Sequence, residues 1–422
     1  MLSLHATMKD VLAVVLAGGV GERLYPLTLN RAKPAVPFGG IYRLIDFTLS
    51  NCINSQCRRI LVLVQYKHLS LSRHIRQGWN MLHPALGEFI EVISAQKRVG
   101  DDWYQGTADA IYQNLYSIDP VQPREVLILA GDHIYKMDYA RMVEHHRRNK
   151  ADVTVATIQM PLRDAHRFGV LEVDFTGQVT GFEEKPSHPT PAPGRPDSAL
   201  ASMGIYVFST EVLKKACRED HERRSTHDFG RDVIPGMIGK NRVFAYMFQD
   251  ENRKEAQYWR DVGTLDSYWE ANMDLVQVDP MFNLYDRNWP IHTLIPASPP
   301  AKFVFAQEGV RYGAAVDSIV SAGCIISGGI VKRSVLGPDV RVNSYSSVRE
   351  SILFPGATVG RHARIRRAII EKNVEIPANA VIGYDLDEDR KRYHVTPNGV
   401  VVVGGGEAIV PADSDVLEPV AK

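Results

Sequence analysis

The chain has 422 residues, 45% of them apolar and 23% charged. That is an ordinary globular balance, and it excludes disordered, collagen-like and fibrous chains. Lys and Arg total 49 and so do Asp and Glu, so the net charge is zero and the basic excess of a general nucleic-acid binder is missing. At ~150 residues per domain the length suggests two or three domains, and no apolar run approaches the ~20 residues that span a bilayer.

Met1 to Asp10 lack the basic-then-apolar order of a secretory signal. Val11–Ala17 is a short apolar run leading into glycines, which predicts a first strand. Similar continuous runs follow at Ile60–Val64, Val126–Ala130, Val153–Ile158 and Gly204–Phe208. Runs of this kind fit strands buried on both faces of a parallel sheet. Between them, Ala108, Ile111, Leu115 and Ile118 fall on one face at helical spacing, with Thr107 as an N-cap and Asp109 in the first turn. The prediction is a wound α/β sheet with ligands in loops at the carboxyl ends of its strands. Ser187–Pro196 reads as a Pro-rich surface loop, and the prolines of Met281–Pro300 as an interdomain connection. The four cysteines, Cys52, Cys57, Cys217 and Cys324, form no CxxC pair. So sparse a set predicts reduced thiols and a cytoplasmic protein.

From Val335 to Ile382 small or apolar residues recur every five or six positions in two registers. One contains Val340, Ser346, Ile352, Ala357 and Ala363, the other Val342, Val348, Leu353, Val359 and Ile365. This predicts the short stacked rungs of a parallel β-helix. The expected division is a catalytic domain over 1–280, a linker over 281–305 and a β-helix domain over 306–422.

The chemistry-bearing motifs lie in the first domain. Gly18, Gly19 and Gly21 follow the first strand and let backbone N–H groups approach a phosphate. Neither a Walker loop nor a dinucleotide fingerprint is present, because no GK[ST] or third spaced glycine follows. Arg23, Arg31 and Lys33 instead bring cations to a phosphate-sized cradle, as a polyphosphate leaving group requires. On glycine spacing alone, an ordinary strand-to-helix turn fits as well. Asp132, just past the strand Val126–Ala130, is placed to hold Mg²⁺ or to cap the next turn. Lys185, in Phe182-Glu183-Glu184-Lys185-Pro186, could clamp a sugar phosphate, and Glu184 could accept sugar hydroxyls; a solvated surface pair is the alternative. Asp261 adds a second carboxylate suited to a metal.

The ordered set LAGGVGERLYPLT, RAKPAV, GTADA, LAGDHIY, FEEKP, SMGIYVF, HDFGRDVIP and YWRDVGT resembles the bacterial ADP-glucose pyrophosphorylase family over residues 11–395. The glycine loop and RAKP are shared with other sugar-nucleotide pyrophosphorylases; HDFG, YWRDVGT and Pro299–Phe303 belong to the ADP-glucose branch. The resemblance implies a Rossmann-like, mostly parallel nucleotide-diphospho-sugar transferase domain and a left-handed β-helix. It implies ATP and glucose 1-phosphate as substrates, ADP-glucose and pyrophosphate as products, Mg²⁺ as cofactor, and a cytoplasmic homotetramer in glycogen synthesis. Carried over, Arg23, Lys33 and Asp132 are catalytic, and Asp132 and Asp261 hold the metal. Gly18, Gly19, Gly21, Arg23, Gln65 and Gly106 bind ATP. Tyr104, Gly169, Glu184, Lys185, Ser202, Tyr206 and Asp228 bind glucose 1-phosphate.

The family is regulated by small anionic metabolites, and here the sequence departs from the enteric pattern. Asn30 stands where those enzymes carry an activator-binding Lys, and Pro37 where they carry His. Fructose 1,6-bisphosphate is therefore not the expected activator, and Arg31, Arg43 and Lys372 are the basic effector-site residues that remain. Three other readings stay open at this stage: a nucleotidyltransferase using UTP, dTTP or GTP, a non-catalytic regulatory subunit, and an acyltransferase. A regulatory subunit would have been marked by loss of Arg23, Lys33 or Asp132. An acyltransferase would need a longer coil with a catalytic His, whereas His362 is the only His in the main repeat.

Overall fold

The structure, a computed structural model, describes residues 8–404 apart from 97–102, 253, 255 and 309. By internal contacts it forms two compact units. The first comprises the residues up to Gly19, Phe47–Gln257 and Arg287–Ile291; the second comprises Val20–Asp46, Tyr258–Asp286 and the residues from His292 onward.

The first unit is built on one sheet of nine of the described strands: β1 (Val11–Leu16), β2 (Arg59–Val64), β3 (Phe89–Ser94), β4 (Glu125–Ala130), β5 (Val153–Pro161), β6 (Gly169–Val173), β7 (Val179–Glu184), β8 (Ser198–Ser209) and β9 (Val243–Met247). Central β1 runs parallel to β2 and β4, and β2 parallel to β3. Val11–Val15 and Val126–Leu129 are fully buried, as expected of strands covered on both faces. The sheet continues through β8, antiparallel to β4, β5 and β6, while β9 returns parallel to β5. Helix α1 (Thr107–Tyr112) and helix α2 (Thr210–His221) pack on this core through Ala108, Ile111 and Leu213. The N-cap of α1 is Gly106 rather than the expected Thr107. The Thr107 hydroxyl is engaged elsewhere, as shown below.

The second unit contains a left-handed parallel β-helix. Its three sheets stack strands in parallel register, as in the column Lys302–Val304, Ile325–Ser327, Arg341–Val342, Thr358–Val359 and Glu375–Ile376, save that one sheet ends in the antiparallel strand His394–Val395. The register Val342, Val348, Leu353, Val359 and Ile365 points inward and is buried with Val340, Ala357 and Ala363 of the other register. Ile352 of that other register is buried outside this cluster, because it shares a strand with Leu353 and takes the opposite face. The coil begins about two rungs before the repeat becomes legible, at Lys302–Val304. The next strand, Ala314–Val316, starts ten positions after Val304, which breaks the five-to-six-residue spacing there.

One corner of the coil carries a column of serines. The Ser318, Ser334 and Ser351 hydroxyls donate to the carbonyls of Val316, Lys332 and Arg349 at 2.7, 2.8 and 2.6 Å. Each also accepts the backbone N–H of the next rung, from Ser334, Ser351 and Ala368, all at 3.1 Å. The residue before each serine, Asp317, Arg333 or Glu350, has a left-handed φ of 47–48°. A non-glycine residue holds that conformation where its surroundings fix it.

All four cysteines are buried free thiols. Burial pushes Cys57 up to about 12 and Cys324 up to about 11, so these thiols stay protonated. Among the described residues no helix is long and apolar enough to cross a membrane.

Candidate active site

In the first unit, the carboxyl ends of β1 and β4 deliver two of the predicted loops. Gly18 lies against Gln65, whose Cβ would sit 3.4 Å from a side chain placed at that glycine. Gln65 Oε1 accepts the Tyr104 N–H at 2.9 Å, and the Tyr104 hydroxyl accepts from Asn114 Nδ2 at 2.8 Å. Burial raises the pKa of that phenol, so it stays a neutral hydrogen-bonding group. Gly131 N–H binds the Leu16 carbonyl at 3.1 Å, which ties the β4 loop to β1. Asp132 follows, with Oδ1 3.7 Å from His133 Nε2.

The sugar-side residues converge in the same unit. Where β8 faces β5, the five residues from Ser202 to Tyr206 lie opposite only three of its neighbour, Val155 to Thr157, a bulge centred on Gly204. Bulges re-aim side chains, and they recur beside active sites. The bulge separates Ser202, whose hydroxyl accepts the Gly204 N–H at 3.3 Å, from the buried Tyr206 phenol. That phenol is held well above its ordinary pKa by burial and by the nearby carboxylates of Asp228 and Glu184. Gly169 pairs with Glu184 across β6 and β7. Glu184 Oε2 lies 2.8 Å from where a Gly169 Cβ would stand, so the glycine makes room for the carboxylate. Lys185 is half-exposed and left-handed (φ 52°), with Nζ 3.2 Å from Glu184 Oε1.

Asp228 is partly committed within the protein. Its Oδ1 accepts the Gly230 and Arg231 N–H groups at 2.9 and 3.1 Å, capping the turn that follows. Its Oδ2 accepts from Thr107 Oγ1 at 3.1 Å.

In the second unit, Gly21 adopts φ 70°, and a side chain there would stand 3.0 Å from Lys33 Cβ and 3.1 Å from Thr28 Cγ2. The turn thus needs glycine both for its conformation and for its closeness to Lys33. Lys33 Nζ lies 3.3 Å from Asp261 Oδ1, with the two side chains 10% and 17% exposed. The Arg23 guanidinium and the Asp261 carboxylate lie 3.3 and 3.0 Å from the Cβ position of Gly263. Two neighbouring motifs therefore meet a third more than two hundred positions away, with two cations near one carboxylate.

Among the described residues no group of three or more His, Cys, Asp and Glu side chains is gathered as a metal cage. Asp132 and Asp261 are hard oxygen donors, the kind that suits Mg²⁺, which takes one or two carboxylates and keeps several waters.

The predicted effector residues also lie in the second unit. Arg31 makes a bidentate pair with Glu371 at 2.9 and 2.8 Å, and its guanidinium lies 5.8 Å from the Phe354 ring centroid. Burial lowers the Arg43 pKa, Asp46 opposes that shift and the Arg31 charge adds to it. Lys372 is exposed and adjoins Glu371.

Residues 12–278 match the nucleotidyl transferase family and residues 299–403 the GlmU-like C-terminal hexapeptide family. The chain is 58% identical over 399 residues to a glucose-1-phosphate adenylyltransferase of Koribacter versatilis, covering 94% of this chain and 95% of that one. It is 56% identical over 407 residues to the protein of that name in Rhodopirellula baltica, covering 95% and 91%. The chain belongs to the glucose-1-phosphate adenylyltransferase family. A further member, from Methylococcus capsulatus, is 53% identical over 409 residues, covering 95% and 96%. As a glucose-1-phosphate adenylyltransferase family member the protein is a nucleotidyltransferase enzyme. Sequence reasoning missed several residues that position its site: Asn114 behind Tyr104, Thr107 beside Asp228, Gly263 beside Arg23, and Glu371 opposite Arg31. Thr107 lies in GTADA and Gly263 in YWRDVGT, but those motifs mark the family and not these contacts, while Asn114 and Glu371 lie in none of the quoted motifs. Glu371 had one pointer, its neighbour Lys372.

Proposed function

We propose that the protein transfers the adenylyl group of ATP to glucose 1-phosphate, giving ADP-glucose and pyrophosphate, for α-glucan (glycogen) biosynthesis. The observation that carries this reading is the 58% identity over 94% of the chain to a protein named for that reaction. A phosphate oxygen of glucose 1-phosphate attacks the α-phosphorus of ATP. The bond from that phosphorus to the bridging oxygen breaks, and pyrophosphate leaves with the electron pair. No covalent enzyme intermediate is needed, so catalysis is positioning and electrostatics. Backbone N–H groups at Gly18, Gly19 and Gly21 cradle the ATP phosphates, with Gln65 and Gly106 at the nucleotide. Arg23 and Lys33 take up charge on the departing pyrophosphate. Lys185 holds the sugar phosphate, and Tyr104, Gly169, Glu184, Ser202, Tyr206 and Asp228 shape the sugar site. Asp132 and Asp261 are assigned to Mg²⁺, which when bound offsets repulsion between the anionic reactants.

The test is pyrophosphate release from glucose 1-phosphate and Mg²⁺ with ATP, UTP, dTTP or GTP. Strong preference for ATP is expected. Preference for another nucleotide, or no turnover with any, would overturn the assignment.

The protein works as a cytoplasmic homotetramer whose activity responds to a small phosphorylated or carboxylate metabolite at Arg31, Arg43 and Lys372. Arg31 is held bidentately by Glu371, so an effector anion bound at this guanidinium would take that carboxylate's place on the same fork. Arg31→Ala is expected to raise the half-saturating effector concentration about tenfold or more, the worth of a charge-assisted hydrogen bond. Unchanged response to every effector would remove Arg31 from the site.

A further inference from the structure

One buried histidine–carboxylate pair has no part in the roles assigned above. His227 opens the turn that carries Asp228, and its Nδ1–H donates to Asp220 Oδ2 at 2.7 Å. The two side chains are 11% and 8% exposed. Ser225 Oγ donates to Asp220 Oδ1 at 2.9 Å and accepts the His227 N–H at 3.0 Å. Asp220 sits at the end of α2, so the histidine is anchored to a helix packed on the core. His227 itself is left-handed, with φ 54°. A histidine keeps that conformation where its surroundings impose it.

The anchored residue stands at a crossing of two loops. The His227 carbonyl accepts the Ala108 N–H at 2.8 Å. The Thr226 and His227 carbonyls press so closely on Gly106 that any side chain there would overlap them. One residue on, Thr107 Oγ1 accepts the Phe229 N–H at 3.0 Å and donates to Asp228 at 3.1 Å. Gly106 belongs to the loop assigned to ATP and Asp228 to the turn assigned to the sugar. A change in the His227 backbone therefore displaces both together.

We propose that Asp220 and His227 are a positioning pair that registers the nucleotide loop against the sugar turn, so that losing the pair weakens both substrates in parallel. The inference rests on the proposed adenylyl transfer. The test compares Asp220→Asn, His227→Ala and His227→Asn in the full chain, with KM for ATP and for glucose 1-phosphate measured on folded protein. Asp220→Asn is expected to raise both KM values about three- to tenfold, and His227→Ala about tenfold or more, since sub-ångström misplacement is costly in such sites. His227→Asn retains a side-chain N–H near the Nδ1 position and tolerates left-handed φ, and should stay within about twofold of the unsubstituted protein. A purely structural role would lower thermal stability and the active fraction while leaving both KM values unchanged. If His227→Ala does not fold, the contrast between Asp220→Asn and His227→Asn reads the same quantity. A shift in one KM alone, unchanged KM values in active Asp220→Asn, or His227→Asn as impaired as Asp220→Asn would each overturn the proposal. Lack of turnover by the unsubstituted protein would instead count against adenylyl transfer itself.

Discussion

Asp132→Ala is expected to lower kcat at least about a hundredfold while leaving the fold intact. Asp132 follows the last residue of β4 by two positions and is partly exposed, so its removal opens no core cavity. The loop it stands on stays tied through Gly131 to Leu16 by a backbone bond that the substitution does not touch. Its carboxylate is one of the two assigned to Mg²⁺, and stabilisation of transition-state charge by a metal is worth several kcal/mol. A hundredfold loss corresponds to about 2.7 kcal/mol. Steady-state pyrophosphate release at saturating substrates measures the effect, and circular dichroism with thermal melting checks the fold. Turnover near that of the unsubstituted protein would sink the assignment of Asp132 to the metal.

The second large effect is expected on binding. Lys185→Ala should raise KM for glucose 1-phosphate about ten- to a hundredfold, the worth of one hydrogen bond to a charged group, and leave KM for ATP within about threefold. Lys185 is exposed, so the change adds no buried vacancy. Its ammonium is set by a left-handed backbone and by Glu184 at 3.2 Å, one position beyond β7. The exposed Lys185–Glu184 pair is worth little by itself, so the effect on KM reports the sugar phosphate. Equal changes in both KM values would take Lys185 out of the sugar site.

Much of this was legible in the sequence because it is written locally. Val11–Leu16 and Val126–Ala130 are continuous apolar runs, as strands covered on both faces need. Ile365 and Ile382 mark rungs because an inward position tolerates little but an apolar side chain. Edge strand Phe89–Ser94 has mixed burial and left no such trace. The motif residues were legible as types, whereas their internal partners were not. Thr107 looked like a cap because a threonine before an apolar helix usually is one, yet its hydroxyl closes the Asp228 turn more than a hundred positions away. The engagement of Lys33 with Asp261 and of Arg31 with Glu371 depends on chain crossings that no spacing rule reaches.

The serine column gives the coil a unit in which its length can change. Each hydroxyl addresses the residue sixteen or seventeen positions ahead, so every rung between Ser318 and Ala368 offers its successor the same acceptor at the same corner. A rung inserted or deleted whole would find its hydrogen-bond partners already in place, whereas a gain or loss of two or three residues would leave a corner N–H facing the wrong neighbour. The column stops at Ala368, which has no hydroxyl to offer. The next strand on that sheet, Val401–Val403, arrives only after an excursion through the helix Leu386–Arg390 and the antiparallel strand His394–Val395. Growth by copying is thus open along the body of the coil and closed at its far end, where a different terminus has been fitted.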